Sequence, residues 1–105
     1  MMNLEKIQNV YFIGIGGIGM SALARYFNTN GKLVAGYDRT PTEITEMLEK
    51  EGISVHFTDE VAKIAPPFKD KATTLVIYTP AIPKEHSELV YFQQHGFEVV
   101  KRSEV

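Results

Sequence analysis

At 105 residues, with 44% hydrophobic and 23% charged side chains, the chain has the make-up of one globular domain around one core, which excludes disordered, collagen-like and two-domain readings. Lys+Arg 11 against Asp+Glu 13 gives a net charge of -2, so the basic surface of a general nucleic-acid or anionic-membrane binder is missing. The absence of cysteine removes disulfides, thiolate metal sites and cysteine nucleophiles together, and no apolar run reaches the roughly 18 residues of a membrane span.

The first element is a run of β-formers, Val10-Tyr11-Phe12-Ile13, that stops at Gly14. Such a run without polar alternation predicts a strand buried on both faces, as in a parallel sheet. A helix is predicted over 18–30, with Ile18, Ala22, Leu23, Tyr26 and Phe27 as its buried stripe. Leu33–Tyr37 reads as the second strand and runs into Asp38. Thr40-Pro41-Thr42-Glu43 has the form of a capping box with proline at the first helical position, so the next helix is expected to start there, with Ile44, Met47 and Leu48 inward.

Residues 53–57 read as a third strand, 59–64 as at most a short helix stopped by Pro66-Pro67, and Thr74–Tyr78 as a fourth strand. A helix over 85–95 and a strand over 97–100 complete the order. Gly31, Gly52 and Gly96 each stand where a helix is expected to end and a strand to begin, the place for a positive φ. Strands alternating with helices predict an α/β, Rossmann-like fold: about five parallel strands in one domain spanning 1–105, with helices on both faces. With no basic leader before the first strand, the chain reads as soluble and, by default, cytoplasmic.

Gly14-Ile15-Gly16-Gly17-Ile18-Gly19 satisfies G-x-G-x-x-G between a predicted strand and a predicted helix. That context makes it a diphosphate-binding turn: Gly14 for the tight bend, Gly16 for close approach of the anion, Gly19 for helix–sheet packing. Free amides of Gly17, Ile18, Gly19 and Met20 at the helix N-terminus then face the diphosphate, and Ser21 either adds a hydroxyl or sits in the first turn. Asp38 follows Gly19 at close to the roughly 20-residue offset of a ribose-reading acid, with Arg39 beside it as a phosphate or base partner. The loop Thr79-Pro80-Ala81-Ile82 leaves the fourth strand at the same sheet edge, where its backbone can read a base.

His56, His86 and His95 lack metal-ligand spacing and a paired acid cluster; His56 reads as structural, His86 and His95 as surface residues. No G-x-x-x-x-G-K-[ST] loop occurs, so no ATP-binding loop is visible. These residues fit a UDP-sugar and NAD equally well, since both offer a diphosphate and a ribose.

The stretch from Tyr11 to Ala24, with its Gly19-Met20-Ser21 continuation, resembles the opening of the Mur ligases, and most of all their alanine-adding branch. The likeness continues through Gly36-Tyr37-Asp38, Thr79 to Ile82 and Lys101-Arg102-Ser103-Glu104. It implies the first of three domains, which holds the UDP end of UDP-N-acetylmuramate. The parent enzyme would use ATP and Mg2+ to activate the muramate carboxyl as an acyl phosphate for attack by L-alanine, in peptidoglycan synthesis. The ATP and amino-acid domains would follow this segment, which alone is expected to bind and not catalyse. Two departures stand out: Tyr37 replaces a common serine, and Thr58-Asp59 replaces a common Gly-His.

Overall fold

A computed structural model describes residues 5–105. The elements follow in the order β1 (Asn9–Ile13), α1 (Ile18–Thr29), β2 (Leu33–Tyr37), α2 (Glu43–Lys50), β3 (Ser54–His56), β4 (Thr74–Tyr78), α3 (Ser87–Gln94) and β5 (Glu98–Lys101). Short 3-10 turns occupy Val61–Lys63, Pro66–Lys69 and Arg102–Glu104. All five strands are parallel, in the order β3-β2-β1-β4-β5. The order reverses between β1 and β4, and a crevice opens at the strands' C-terminal ends beside such a switch point.

Side-chain alternation on the central strand builds the two layers. Val10 and Phe12 join a cluster with Leu75, Ile77, Met20, Ala24, Phe27 and Leu48, under α1 and α2. Tyr11 and Ile13 point the other way, into a cluster with Val76, Phe68, Leu89 and Phe92 under α3. Gly31, Gly52 and Gly96 have φ of 81, 90 and 77°, as expected of residues that end helices.

Several local expectations give way to tertiary context. In α1, Met20, Ser21, Ala24 and Phe27 are buried, while Ile18 and Tyr26 are 83% and 58% exposed. Both sides of this helix carry apolar residues, and the glycine turn sets its rotation so that Met20 and Ala24 meet the sheet. Thr42, not Thr40, caps α2: its amide donates to Thr45 Oγ1 at 2.9 Å and its Oγ1 accepts the Thr45 amide at 3.3 Å. The Thr40 amide is already held by Asp38 Oδ1 at 3.2 Å, which keeps Thr40 in the strand-end turn. Inward from α2 lie Thr45 and Leu48, with Met47 48% exposed. The helix α3 starts at Ser87 and β3 is shorter than expected. Pro66 and Pro67 do more than stop a helix: their 3-10 turn buries Phe68.

Candidate nucleotide-binding crevice

The crevice, about 710 Å3, lies at the C-terminal sheet edge. Its walls are Gly14, Gly16, Gly17 and Met20 from the glycine turn, Tyr37, Asp38 and Arg39 from the end of β2, and Asp59 from the end of β3. Thr79, Ala81, Ile82, Pro83, Glu85 and His86 from the β4–α3 connection close it.

The glycine turn is built from its own backbone outward. Gly14 has φ +95, and a Cβ there would collide with the Thr79 methyl. The amides of Gly14 and Ile15 both donate to the Tyr37 carbonyl, at 2.8 and 3.0 Å, and pin the turn to the tip of β2. The Gly16 amide donates to Asp38 Oδ2 at 2.7 Å, and a Cβ on Gly16 would sit 2.7 Å from that oxygen. So the close approach at Gly16 is to the protein's own aspartate, and this amide is not open to an anion.

The Gly17 amide is engaged too, donating to the Gly14 carbonyl at 3.4 Å, but the three amides after it are different. Gly17 is the N-cap of α1 in extended conformation and offers no side-chain cap. The first intrahelical bond is Ser21 N–H to the Gly17 carbonyl at 2.8 Å, so the amides of Ile18, Gly19 and Met20 precede the helical ladder. They carry the positive end of the helix dipole with no acidic residue in the first turn to neutralise it. Ser21 is buried and its hydroxyl donates to the Ile18 carbonyl at 3.0 Å, which places it within the first turn. The side chain of Ile18 points to solvent, and Gly19 borders a shallow groove with Tyr26, Arg102 and Val105.

Asp38 is fixed from two directions, by Gly16 at Oδ2 and Thr40 at Oδ1. Each oxygen keeps a second acceptor site, so the carboxylate can still take ribose hydroxyls. Arg39 is exposed at the rim. On the facing wall, Thr79 packs on Gly14, and the Ile82 amide closes a turn to the Thr79 carbonyl at 3.0 Å. That amide is thereby engaged, Ala81 lines the crevice, and Pro80 stands outside it.

Three features were not visible in the sequence. His86 is 6% exposed rather than at the surface, because its amide bonds to the Pro83 carbonyl and the turn folds the ring inward against Tyr37. Asp59 accepts the Ser87 and Glu88 amides at 2.8 and 3.1 Å and so caps α3 from a distant segment. Glu88, fully buried, accepts from Tyr11 Oη at 2.5 Å and from the Glu60 amide at 3.2 Å, and pairs with His56 Nε2 at 2.7 Å. His56 therefore has a paired acid after all, supplied from α3. Burial, with the carboxylates of Glu88 and Asp59 nearby, raises the Tyr11 phenol far above its ordinary range. Burial and the carboxylates of Asp59, Glu88 and Asp38 raise Tyr37 as well, so both phenols stay neutral.

An open helix N-terminus, an aspartate at the next strand tip and a crevice between them are the arrangement of the dinucleotide- and nucleotide-sugar-binding type of α/β domain. The family model "Mur ligase family, catalytic domain" matches residues 9–105, and the chain belongs to that family. Over 104 residues it is 57% identical to the UDP-N-acetylmuramate–L-alanine ligase of Parabacteroides distasonis, covering 99% of this chain and 22% of that protein. The enzyme of the same name from Christiangramia forsetii is 51% identical over 106 residues, 100% of this chain and 24% of its own length. Among solved structures, the UDP-N-acetylmuramate-alanine ligase of Thermotoga maritima superposes with a TM-score of 0.80 at 33% identity, over 91% of this chain and 21% of that one. A murein peptide ligase from Psychrobacter arcticus, at 22% identity and TM-score 0.74 over 88% of this chain and 18% of that one, shares the fold. The chain thus spans about a fifth of the length of the relatives it matches.

Among the described residues, no group of three or more His, Asp or Glu is arranged to hold a metal ion. The sequence contains no G-x-x-x-x-G-K-[ST] loop. No helix among the described residues is long and apolar enough to cross a membrane.

Proposed function

We propose that this chain is the N-terminal, UDP-binding domain of an ATP-dependent ligase that joins L-alanine to UDP-N-acetylmuramate in peptidoglycan synthesis, in the cytoplasm. The observation that carries the reading is the uncapped N-terminus of α1, opening beside Asp38 at one crevice. The names of the relatives supply the identity of the nucleotide sugar.

In this reading the amides of Ile18, Gly19 and Met20 hold the diphosphate, and Arg39 adds a cation at the rim. Asp38, oriented by Gly16 and Thr40, accepts ribose hydroxyls, and the Thr79–Ile82 wall (with Gly14 packed against it) bounds the sugar. The domain itself moves no proton and breaks no bond. It anchors one end of the substrate so that the muramyl carboxyl reaches the remaining domains of the parent chain. ATP and Mg2+, held by those domains, supply phosphoryl activation of that carboxyl.

Titration of the chain with UDP-N-acetylmuramate, followed by amide chemical shifts, tests this. The expected result is saturable shifts at Ile18, Gly19 and Met20, displaced by UDP and not by NAD. Silence of those amides at millimolar ligand, or tight NAD binding without a UDP effect, would overturn it.

A further inference from the structure

The outward side of α1 is unlike that of an ordinary surface helix. Met20, Ala24 and Phe27 are buried on the sheet, and Ile18, Ala22 and Tyr26, at i, i+4 and i+8, form a second apolar stripe that faces away from it. Ile18 and Tyr26 are the most exposed large apolar side chains of the domain. The one charged residue of the helix, Arg25, is taken up by Glu51 at 2.7 Å. A helix that is apolar on both sides belongs in an interior, and an exposed apolar stripe marks a contact surface.

The chain returns to this stripe at its far end. Gly19, Ala22, Leu23 and Tyr26 form one wall of a groove, and Arg102 and Val105 form the other. The Arg102 guanidinium lies over Gly19, where a Cβ would come within 3.0 Å of it. Residues 101–105 are also arranged as the first turn of a helix. Lys101 is extended, its amide donates to Glu104 Oε1 at 2.8 Å, and the Val105 amide donates to the Arg102 carbonyl at 3.2 Å. A glutamate that reaches back three residues to the N-cap amide is one half of a capping box, a helix-start device.

We infer that this turn opens a helix that continues past Val105 in the parent chain and lies along α1, covering Ile18, Ala22 and Tyr26. The inference rests on the reading of the chain as one domain of a longer ligase, of whose relatives it spans about a fifth of the length. The occupant is the parent's own next segment rather than a second copy, because Val105 already sits in the groove. The residues after it start at the stripe, at the high effective concentration of a tethered partner. About 12 of them, at 1.5 Å each, match the 12 residues of α1.

The sequence has no cysteine, so single introduced cysteines report on the stripe. Ala22→Cys and Tyr26→Cys are compared with Lys69→Cys, next to Phe68 of the opposite layer, as reference. Each is placed in the 105-residue chain, in a chain lengthened by about 12 of the parent's following residues, and in the whole parent. Maleimide labelling is read by peptide mass spectrometry in the absence of nucleotide. Both stripe positions should react as fast as the reference in the 105-residue chain, and about tenfold or more slowly in the other two. The lengthened chain should also gain helical circular dichroism. Unslowed labelling of the stripe in the whole parent overturns the inference. Protection only in the whole parent assigns the stripe to a distant part of it and overturns the inference too. Protection of the 105-residue chain that grows with its concentration is the mark of a second copy, with the same consequence. No reading here involves nucleotide, so UDP binding stands or falls separately, on the α1 amide shifts.

Discussion

The N-termini of α1 and α3 lie along the same sheet edge, and the chain treats them in opposite ways. Asp59 accepts two amides at the start of α3, with His86 alongside. At α1 the N-cap is a glycine, no side chain caps the first turn by a hydrogen bond, and no acid sits in it. A capped terminus is satisfied and stable. An open one retains its partial positive charge for a ligand, at some cost in stability. What sets α1 apart is therefore the missing cap rather than the helix itself; α2, capped by Thr42, makes the same point.

Substitutions can break this contrast, beginning with the greatest loss. Glu88→Ala, at the closed end, removes the acceptor shared by Tyr11, His56 and the Glu60 amide, and should cost about 3 kcal/mol in denaturant unfolding. Gly14→Ala, at the open end, meets both a φ of +95 and the Thr79 methyl, and should cost about 2–4 kcal/mol by the same assay. Asp59→Ala uncaps α3 and should cost about 1–2 kcal/mol in melting experiments while leaving the α1 amide shifts in place.

Gly17→Asp sharpens the comparison with the opposite sign. Gly17 already has φ -67 and ψ 153, which aspartate adopts freely, and a Cβ there meets nothing closer than 3.8 Å. The new carboxylate would cap α1, stabilise the fold by about 0.5 kcal/mol, and abolish anion binding by filling and neutralising the site.

The smallest effect concerns alkali. The folded-state Tyr11 phenol is raised above the ordinary 10.0, so its contribution to stability is complete below pH 10.0 and is lost as pH rises above it, where only the unfolded chain ionises. Unfolding curves from pH 8 to 11 should show this decline, and Tyr11→Phe should flatten it.

The same contrast explains what was legible in the sequence. The open end is local: Gly14 to Gly19, Asp38 and the strand before each are contiguous patterns, and their positions in the sheet follow from a parallel order alone. The Thr74–Tyr78 and Leu33–Tyr37 strands have the bounds their apolar runs suggest. The closed end is assembled across the chain. Asp59 meets Ser87, Glu88 meets His56 and Tyr11, and His86 turns inward, through contacts that no window of sequence contains. The Thr40 cap failed for a related reason: Asp38 competes for the Thr40 amide, and Thr42 then offers a second cap two residues on. In α1, two apolar stripes fitted one helix, and only the docking of the glycine turn onto Tyr37 selects between them.

The central claim is that unpaired amides at the start of α1 hold a nucleotide diphosphate. Its most direct measurement is a UDP titration of the unmodified chain beside Gly17→Asp, reading the Ile18, Gly19 and Met20 amide resonances. The account requires saturable shifts in the first protein and none in the second, with the second at least as stable. Equal binding by both, or no shift in either, would contradict it.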